Sequence, residues 1–444
     1  MASTQPMRFD PTLLPRSAAI VGGRLVVAGV DAEALADEFG TPVYVYDEAE
    51  MRARCREYRV GFPDGVSYAS KAFLCGAMAR LIAEEGLGLD VASGGELAIA
   101  LAAGVDPSTI TVHGNNKSDD ELFAAMSAPA KAIVLDSTDE LDRIERLVAA
   151  EAPVPSLLVR VNPGIDAHTH EYLATGATDS KFGFSLESGA ALAAVEAIVQ
   201  TNAARFAGLH AHIGSQIFRP EGFDAALARL AGLVRDIETR FGIDVDELCI
   251  GGGLGVRYTT GDDPPSIGQH AAAVRESFGD ALGRAGVACR PRLTTEPGRS
   301  IVAPAGITLY RVGTIKTVPG IRTYVSVDGG ISDNLRPALY GAQYEAFVTS
   351  RADADRDAVV TIAGKHCEQG DLLVRDARLP ADLAVGELVA TPCTGAYGHA
   401  MANNYNSIVR PAVVFVADGA ARAVVRRETL ADLVARDVVL GDSA

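Results

Sequence analysis

Val66-Ser67-Tyr68-Ala69-Ser70-Lys71-Ala72 decides how the rest of the chain is read. A strand-like alternation ends on a lysine, and helical spacing takes over at once at Leu74, Met78, Leu81 and Ile82. Strand, lysine and helix in that order make the first unit of a β/α pattern. A lysine at the carboxyl end of a strand, in an alanine-rich stretch with few charges, is poorly placed as a solvated cation. Burial lowers a lysine's pKa and frees its amine as a nucleophile, most often for a Schiff base. A lone lysine at a helix start more often snorkels to solvent. The rest of the chain reverses that preference.

From Val66 onward the pattern repeats. Strand-like runs stand at Val66–Ala69, Gly88–Val91, Thr109–Val112, Ala132–Leu135, Ser156–Val161, Gly208–Ile213, Glu247–Ile250 and Arg292–Thr295. Helical spacing lies between most of them, as in Leu141, Ile144, Leu147 and Val148, and over 189–200, 222–240 and 268–285. Eight β units over roughly 250 residues predict an α/β fold, a (β/α)8 TIM-type barrel. A doubly wound open sheet is the alternative. Beyond residue 300 helical spacing fades. Ile307–Val312, Thr323–Asp328, Leu388–Thr391, Ile408–Val416 and Ala421–Arg426, among Gly and Pro turns, predict an antiparallel β domain. Upstream, Gly22-Gly23 predicts a hairpin turn, Asp31 to Phe39 a short helix capped by Asp31, and Thr41–Tyr46 a strand. The expected division is a barrel over 41–300 and a β domain made of 1–40 and 301–444.

Composition narrows the function. With 444 residues the chain is long enough for two domains, and 48% hydrophobic against 22% charged residues gives it a sizeable core. A net charge of −17 argues against nucleic acid or an anionic membrane as partner. No run approaches the roughly 18 apolar residues of a membrane span, and no signal-peptide pattern opens the chain. The six cysteines have irregular spacings and no C-x-x-C, a reduced, cytoplasmic pattern that leaves the sequon Asn116-Lys117-Ser118 without meaning for glycosylation.

A barrel carries its chemistry at the carboxyl ends of its strands. Those positions hold Lys71, Asp90 with Ser93, His113 with Asn115, Asp136, Asn162, His212 with Ser215, Gly251-Gly252-Gly253, and Glu296 with Arg299. Gly251–Gly255 fits no nucleotide fingerprint, since Val256 stands where the last glycine belongs; it reads equally as a tight turn or as a cradle for a smaller phosphate. His210-Ala211-His212 puts two rings on one strand face, which keeps a metal-dependent barrel hydrolase open, with His113, Asp136 and Asp90 as further ligands. Glu296-Pro297-Gly298-Arg299 offers a carboxylate and a guanidinium at one mouth, able to hold a ring nitrogen and a phosphate or carboxylate. Residues 163–187, with His168-Thr169-His170, interrupt the rhythm as a lid would. In the β domain, Cys367 between His366 and Glu368 reads as an inert small hydrophobe or as an exposed proton donor. A Schiff-base lysine, a non-nucleotide phosphate cradle, a carboxylate for a ring nitrogen and a stacking histidine together match pyridoxal 5'-phosphate, with no metal.

Tyr68-Ala69-Ser70-Lys71-Ala72, His212-Ile213-Gly214-Ser215-Gln216, Gly251–Gly255, Glu296–Arg299, His366-Cys367-Glu368 and Gly395-Ala396-Tyr397 together resemble the barrel-type, alanine-racemase-like pyridoxal-phosphate decarboxylases. His168–Tyr172, Ser180–Gly183 and Asn334–Tyr340 resemble the branch acting on diaminopimelate rather than the ornithine branch. The likeness covers roughly residues 40–420; Gly398-His399-Ala400 departs from it by placing a histidine where the family commonly has small or aromatic residues. The resemblance implies decarboxylation of meso-2,6-diaminopimelate to L-lysine and CO2, the last step of lysine biosynthesis, in a cytoplasmic homodimer with shared active sites. It implies Lys71 for the Schiff base, His212 stacked on the pyridine ring and Glu296 on its nitrogen. Ser215, Gly253 and the turn Glu296, Pro297, Gly298, Arg299 would hold the phosphate; Asp90, Gly251 and Gly252 would complete the cofactor site. Arg299, Arg336 and Tyr340 would contact substrate, Tyr397 both cofactor and substrate, Glu368 the substrate's distal amine, and Cys367 would protonate the carbanion from the partner subunit. A decarboxylase of ornithine, lysine or carboxynorspermidine, or a non-catalytic pyridoxal-phosphate carrier, are the alternatives.

Overall fold

The computed structural model describes residues 8–165 and 180–438. The chain divides into two compact units, one made of Arg52–Val256 with Asp263–Ser300, the other of Met1–Met51, Arg257–Asp262 and Ile301–Ala444.

The first unit is the barrel. Its strands are Ser67–Ala69, Gly88–Val91, Ile110–Val112, Ala132–Leu135, Ser156–Asn162, Arg205–His210, Glu247–Cys249 and Arg292–Thr294, paired in chain order and parallel throughout. The first and last strands meet, because Ser67 N–H donates to the Thr295 carbonyl at 3.0 Å and Ala69 N–H to Pro297 at 3.1 Å. That contact closes the sheet and excludes the doubly wound alternative. Four of the eight strands are buried at every position, as strands covered on both faces are. The intervening helices start where short polar side chains cap them: Ser93 accepts from Glu96 N–H, while Ser118 with Glu121 and Ser266 with Gln269 form reciprocal capping boxes. Ser93, a candidate for chemistry from its position, is therefore a cap. Ser118, the serine of the sequon, is another.

The second unit is a mixed sheet, not a wholly antiparallel one. Gly306–Val318 pairs antiparallel with Arg322–Val327, Leu388–Pro392 and Val43–Asp47. Ala412–Ala417 runs parallel to Val43–Asp47, and Arg322–Val327 parallel to Ala358–Ala363. Val43–Asp47 thus belongs to this sheet, and the expected start of the barrel at residue 41 moves to Arg52. Strand partners from distant parts of a chain are free of the hairpin constraint that enforces antiparallel pairing. Ala18–Val21 and Arg24–Val27 form the hairpin around Gly22-Gly23, and Asp31 caps Ala32–Phe39. Leu25, Val27, Leu35, Val43, Leu309, Phe347 and Val414 share one core, so the N-terminal pieces pack with the C-terminal sheet.

Candidate active site

At the carboxyl end of the barrel the eighth strand delivers Glu296, buried, with a donor on each oxygen. His113 Nε2 lies 3.0 Å from Oε1 and His210 Nε2 2.8 Å from Oε2. Burial alone would raise this carboxyl; the two imidazoles outweigh it and hold Glu296 well below the usual carboxylate range. Burial pushes His210 down to about 4, so it stays neutral and serves as an N–H donor. Asp90, 3.5 Å from His113 Nε2, is pushed up by burial and by the Glu296 charge against the pull of His113. The cluster is a buried anion held between two imidazoles, of which His210 is neutral.

His212 follows the sixth strand. Its Nδ1 accepts the Gly252 N–H at 3.2 Å, and burial, then the Lys71 and Arg160 charges, hold it well below its ordinary value. A neutral ring with Nδ1 as acceptor carries its proton on Nε2. His210 and His212 therefore serve different partners, and the metal-ligating reading of that pair loses its geometry. His113, His210 and Glu296 do bring three ligand atoms within 4.8 Å of one another, but both histidine nitrogens are directed at the carboxylate.

The glycine turn after the seventh strand lies against this ring. Gly251 has φ +66°, and a Cβ there would stand 2.6 Å from His212 Nδ1 and 2.8 Å from the Ala211 carbonyl. Only glycine lets the backbone pass so close. Arg299, buried at the start of the short helix Arg299–Val302, donates from Nη2 to Ser215 Oγ at 2.9 Å. Pro297 and Gly298 join Glu296 to that arginine, so carboxylate and guanidinium leave one turn. Lys71 sits in the 3-10 turn Ser70–Ala72 right after the first strand, its side chain exposed, and its charge acts on Asp90, Glu96 and His212. The expectation of a buried lysine is corrected: the amine stands at the mouth with acidic groups within electrostatic reach.

Two features escaped sequence reasoning. Arg160 lies over the Phe182 ring at 4.3 Å with Nε 3.9 Å from Asp136, and its charge is felt by Asp90, Asp136 and His212. Its alternation with buried Leu157, Val159 and Val161 was the available signal. Lys117, read only as part of a sequon, is a buried cation 2.8 Å from Glu140 that also donates to the Gly114 and Val134 carbonyls, tying two strand ends together. Of the segment 163–187, residues 166–179, with His168, Thr169, His170, Glu171 and Tyr172, lie outside the described residues.

The remaining candidates belong to the other unit. Arg336 and Tyr340 share the helix Arg336–Tyr340. Arg336 is buried, donates to the Tyr344 hydroxyl and lies over the Tyr258 ring at 4.5 Å. No carboxylate among the described residues is within ion-pair distance of it. Cys367 and Glu368 are exposed in the turn between Ala358–Ala363 and Leu372–Leu379, and none of the six cysteines is in a disulfide. Tyr397 holds φ +60°, a strained conformation for an aromatic residue. His399, the departure noted above, lies edge-on to Tyr44 at 5.9 Å and is driven down to about 4 by burial.

A parallel barrel whose mouth gathers an exposed lysine, a neutral histidine, a buried carboxylate and a glycine cradle beside an arginine defines a class, the barrel enzymes built around pyridoxal phosphate. The family model for the pyridoxal-binding domain of pyridoxal-dependent decarboxylases matches residues 48–303. The chain is 47% identical over 426 residues to the diaminopimelate decarboxylase of Mycobacterium tuberculosis, covering 94% of this chain and 95% of that one. It is 46% identical over 421 residues to that of Bacillus subtilis, with 94% and 95% covered. The crystal structure of diaminopimelate decarboxylase from M. jannaschii with L-lysine superposes with a TM-score of 0.89 at 34% identity, over 96% of this chain and 98% of that one. The chain belongs to the diaminopimelate decarboxylase family. No helix among the described residues is long and apolar enough to cross a membrane.

Proposed function

We propose that the chain decarboxylates meso-2,6-diaminopimelate to L-lysine and CO2, with pyridoxal 5'-phosphate held at the carboxyl end of the barrel. The observation that carries this reading is the buried Glu296 anion, kept charged by His113 and His210 beside neutral His212. When bound, pyridoxal phosphate supplies an electron sink for the pair left behind as CO2 departs. The residues fit that group. Each Glu296 oxygen keeps a lone pair beyond its histidine donor, enough to accept a pyridinium N–H. A neutral His212 offers a flat ring face without adding a charge. The Gly251–Gly253 backbone, Ser215 and Arg299 suit a phosphate, and Asp90 braces His113. Lys71 provides the amine that holds the aldehyde carbon and later releases the product.

Substrate recognition falls to the second unit in this reading. Arg336, a buried guanidinium between tyrosines, takes a substrate carboxylate with Tyr340; Glu368 takes the distal amine; Tyr397 touches cofactor and substrate; Arg299 is the barrel's own substrate contact. Cys367 gives its proton to the carbon that lost CO2, reaching the site from the partner subunit of a homodimer. Six cysteines without a disulfide among them accord with a cytoplasmic enzyme.

The test is the absorbance of the purified protein with pyridoxal phosphate, before and after meso-diaminopimelate, with product analysis. A near-visible band lost in Lys71→Ala, together with lysine formation, is the expected result. A band without lysine moves the substrate to a related diamino acid or makes the protein a carrier. No band after adding pyridoxal phosphate refutes the proposal.

A further inference from the structure

We infer that Asp371 and Asn406 are positioning residues for Cys367, gripping its turn from two sides so that the thiol delivers its proton to one face of the reacting carbon. This rests on the reading of Cys367 as proton donor and adds what aims it. Asp371 is buried, and its carboxylate accepts three N–H groups. Oδ2 takes the His366 backbone N–H and His366 Nδ1, each at 2.8 Å; Oδ1 takes the Ile331 N–H at 2.8 Å. The backbone closes the same knot, with Gly364 N–H donating to the Asp371 carbonyl and Lys365 N–H to that of Gly329. Space for the carboxylate is carved by Gly364, where a Cβ would stand 2.1 Å from it. From the other side Asn406 Oδ1 accepts the Cys367 N–H at 3.0 Å, and Tyr405 lies parallel to the His366 ring at 5.8 Å. Asn406 itself holds φ +54°, an uncommon stance for a residue with a side chain.

So Cys367, though exposed, is flanked by a His366 held through its backbone N–H and Nδ1, and is tied by its own amide. An exposed side chain with a mobile backbone would reach either face of a planar carbon; this backbone is fixed at the two peptide groups that lead into Cys367. The chemistry makes that fixation readable. The bond to the departing carboxylate breaks and CO2 leaves without its electron pair. The pair stays on carbon, and the Cys367 S–H proton forms the new C–H bond; solvent returns a proton to the thiolate. In deuterium oxide the thiol carries deuterium, so each lysine gains one deuterium in a configuration set by the face of delivery.

The experiment makes lysine in deuterium oxide with wild type, Asp371→Asn, Asn406→Gly and Cys367→Ala, and assigns the labelled configuration by NMR. Alkylation of Cys367 by iodoacetamide in the cofactor-free proteins is followed in parallel. An amide at 371 turns an N–H toward donors it must accept from, and glycine at 406 keeps the left-handed backbone while removing the acceptor. The expected result is one configuration from wild type and both from Asp371→Asn and Asn406→Gly. Their kcat falls by about 100-fold, as for a misplaced group, KM stays near wild type, and their alkylation rate changes several-fold. A purely structural support would lower the yield of folded enzyme and leave the configuration single. If Asp371→Asn fails to fold, exposed Asn406 decides alone. One configuration and an unchanged alkylation rate in both variants overturn the inference. If instead Cys367→Ala keeps wild-type rate and configuration, the proton-donor reading itself has failed, and the inference with it.

Discussion

His270 offers the sharpest test of the barrel's energetics, because one physical cause sets its behaviour. It lies on the helix Ile267–Ala285, buried against Phe223 edge-on at 5.0 Å and Phe62 at 6.1 Å. Burial alone drives its pKa from 6.5 down to about 4. The unfolded chain binds a proton near pH 6.5 and the folded chain does not, so stability falls as pH drops through that window and levels off below pH 4. The full loss is (6.5 − 4) × 1.36, about 3.4 kcal/mol, of which about 2 kcal/mol is gone by pH 5. In His270→Gln the titration disappears, while a buried amide costs about 1–3 kcal/mol at every pH. Urea unfolding of both proteins at pH 8 and pH 5 measures the difference; His210 and His399, which titrate alike, cancel between them. The variant is less stable at pH 8, and the gap narrows by about 2 kcal/mol at pH 5. A gap that stays constant would show that His270 is hydrated in the folded state. The loss reaches function because Phe223, its ring partner, lies 3.4 Å from where a Gly253 Cβ would be. Acid that expels His270 is therefore expected to loosen the Gly253 turn proposed to hold the phosphate.

Three further outcomes are expected. Lys71→Ala abolishes the near-visible band of the pyridoxal-loaded protein but, since Lys71 is exposed, leaves the unfolding midpoint of the cofactor-free protein within about 0.5 kcal/mol of wild type. Glu296→Gln leaves one imidazole N–H facing an amide N–H, costing about 1–3 kcal/mol in unfolding experiments and lowering kcat by about 100-fold or more in steady-state assays. Arg336→Ala raises KM for diaminopimelate and erodes discrimination against diamines lacking the second carboxylate, measured as the ratio of kcat/KM values; unchanged turnover would remove Arg336 from the substrate site.

Local signals carried far in this chain. Strand ends, helix caps and the Gly22-Gly23 turn depend on residues a few positions apart, and the barrel strands mostly lie within one residue of where alternation placed them. The sixth strand is the exception, running Arg205–His210 instead of Gly208–Ile213. Gly208, at φ +145°, shifts the register there, and the Ala211 N–H already bonds the Cys249 carbonyl beyond the strand's end. What local signals cannot carry is partnership at a distance. Val43–Asp47 is buried at every position, so nothing in its pattern says which sheet it joins. Glu296 is legible as a carboxylate at a strand end; its two donors lie 86 and 183 residues away, and no local pattern ties them to it, so in the sequence they stand only as candidate ligands of the metal alternative. Arg160 sits inside an otherwise apolar strand, and its partners Asp136 and Phe182 lie too far along the chain for any local pattern to announce them.

The distribution of roles between the units follows from what each fold can offer. A closed parallel barrel brings eight strand ends to one mouth, enough to fix a carboxylate, a stacking ring, an amine and a phosphate cradle whatever substrate is used. Lys71, Asp90, His212, Ser215, Gly251–Gly253 and Glu296–Arg299 all belong to that unit, whereas Arg336, Tyr340, Cys367, Glu368 and Tyr397 all belong to the sheet unit. Those five residues come from a short helix and turns, which tolerate change better than barrel strands do. Substrate choice in this family is therefore expected to be set mainly on the sheet unit. Exchanging Arg336 and Glu368 together should shift selectivity between diamino acids while the near-visible absorbance of the loaded barrel stays as it was.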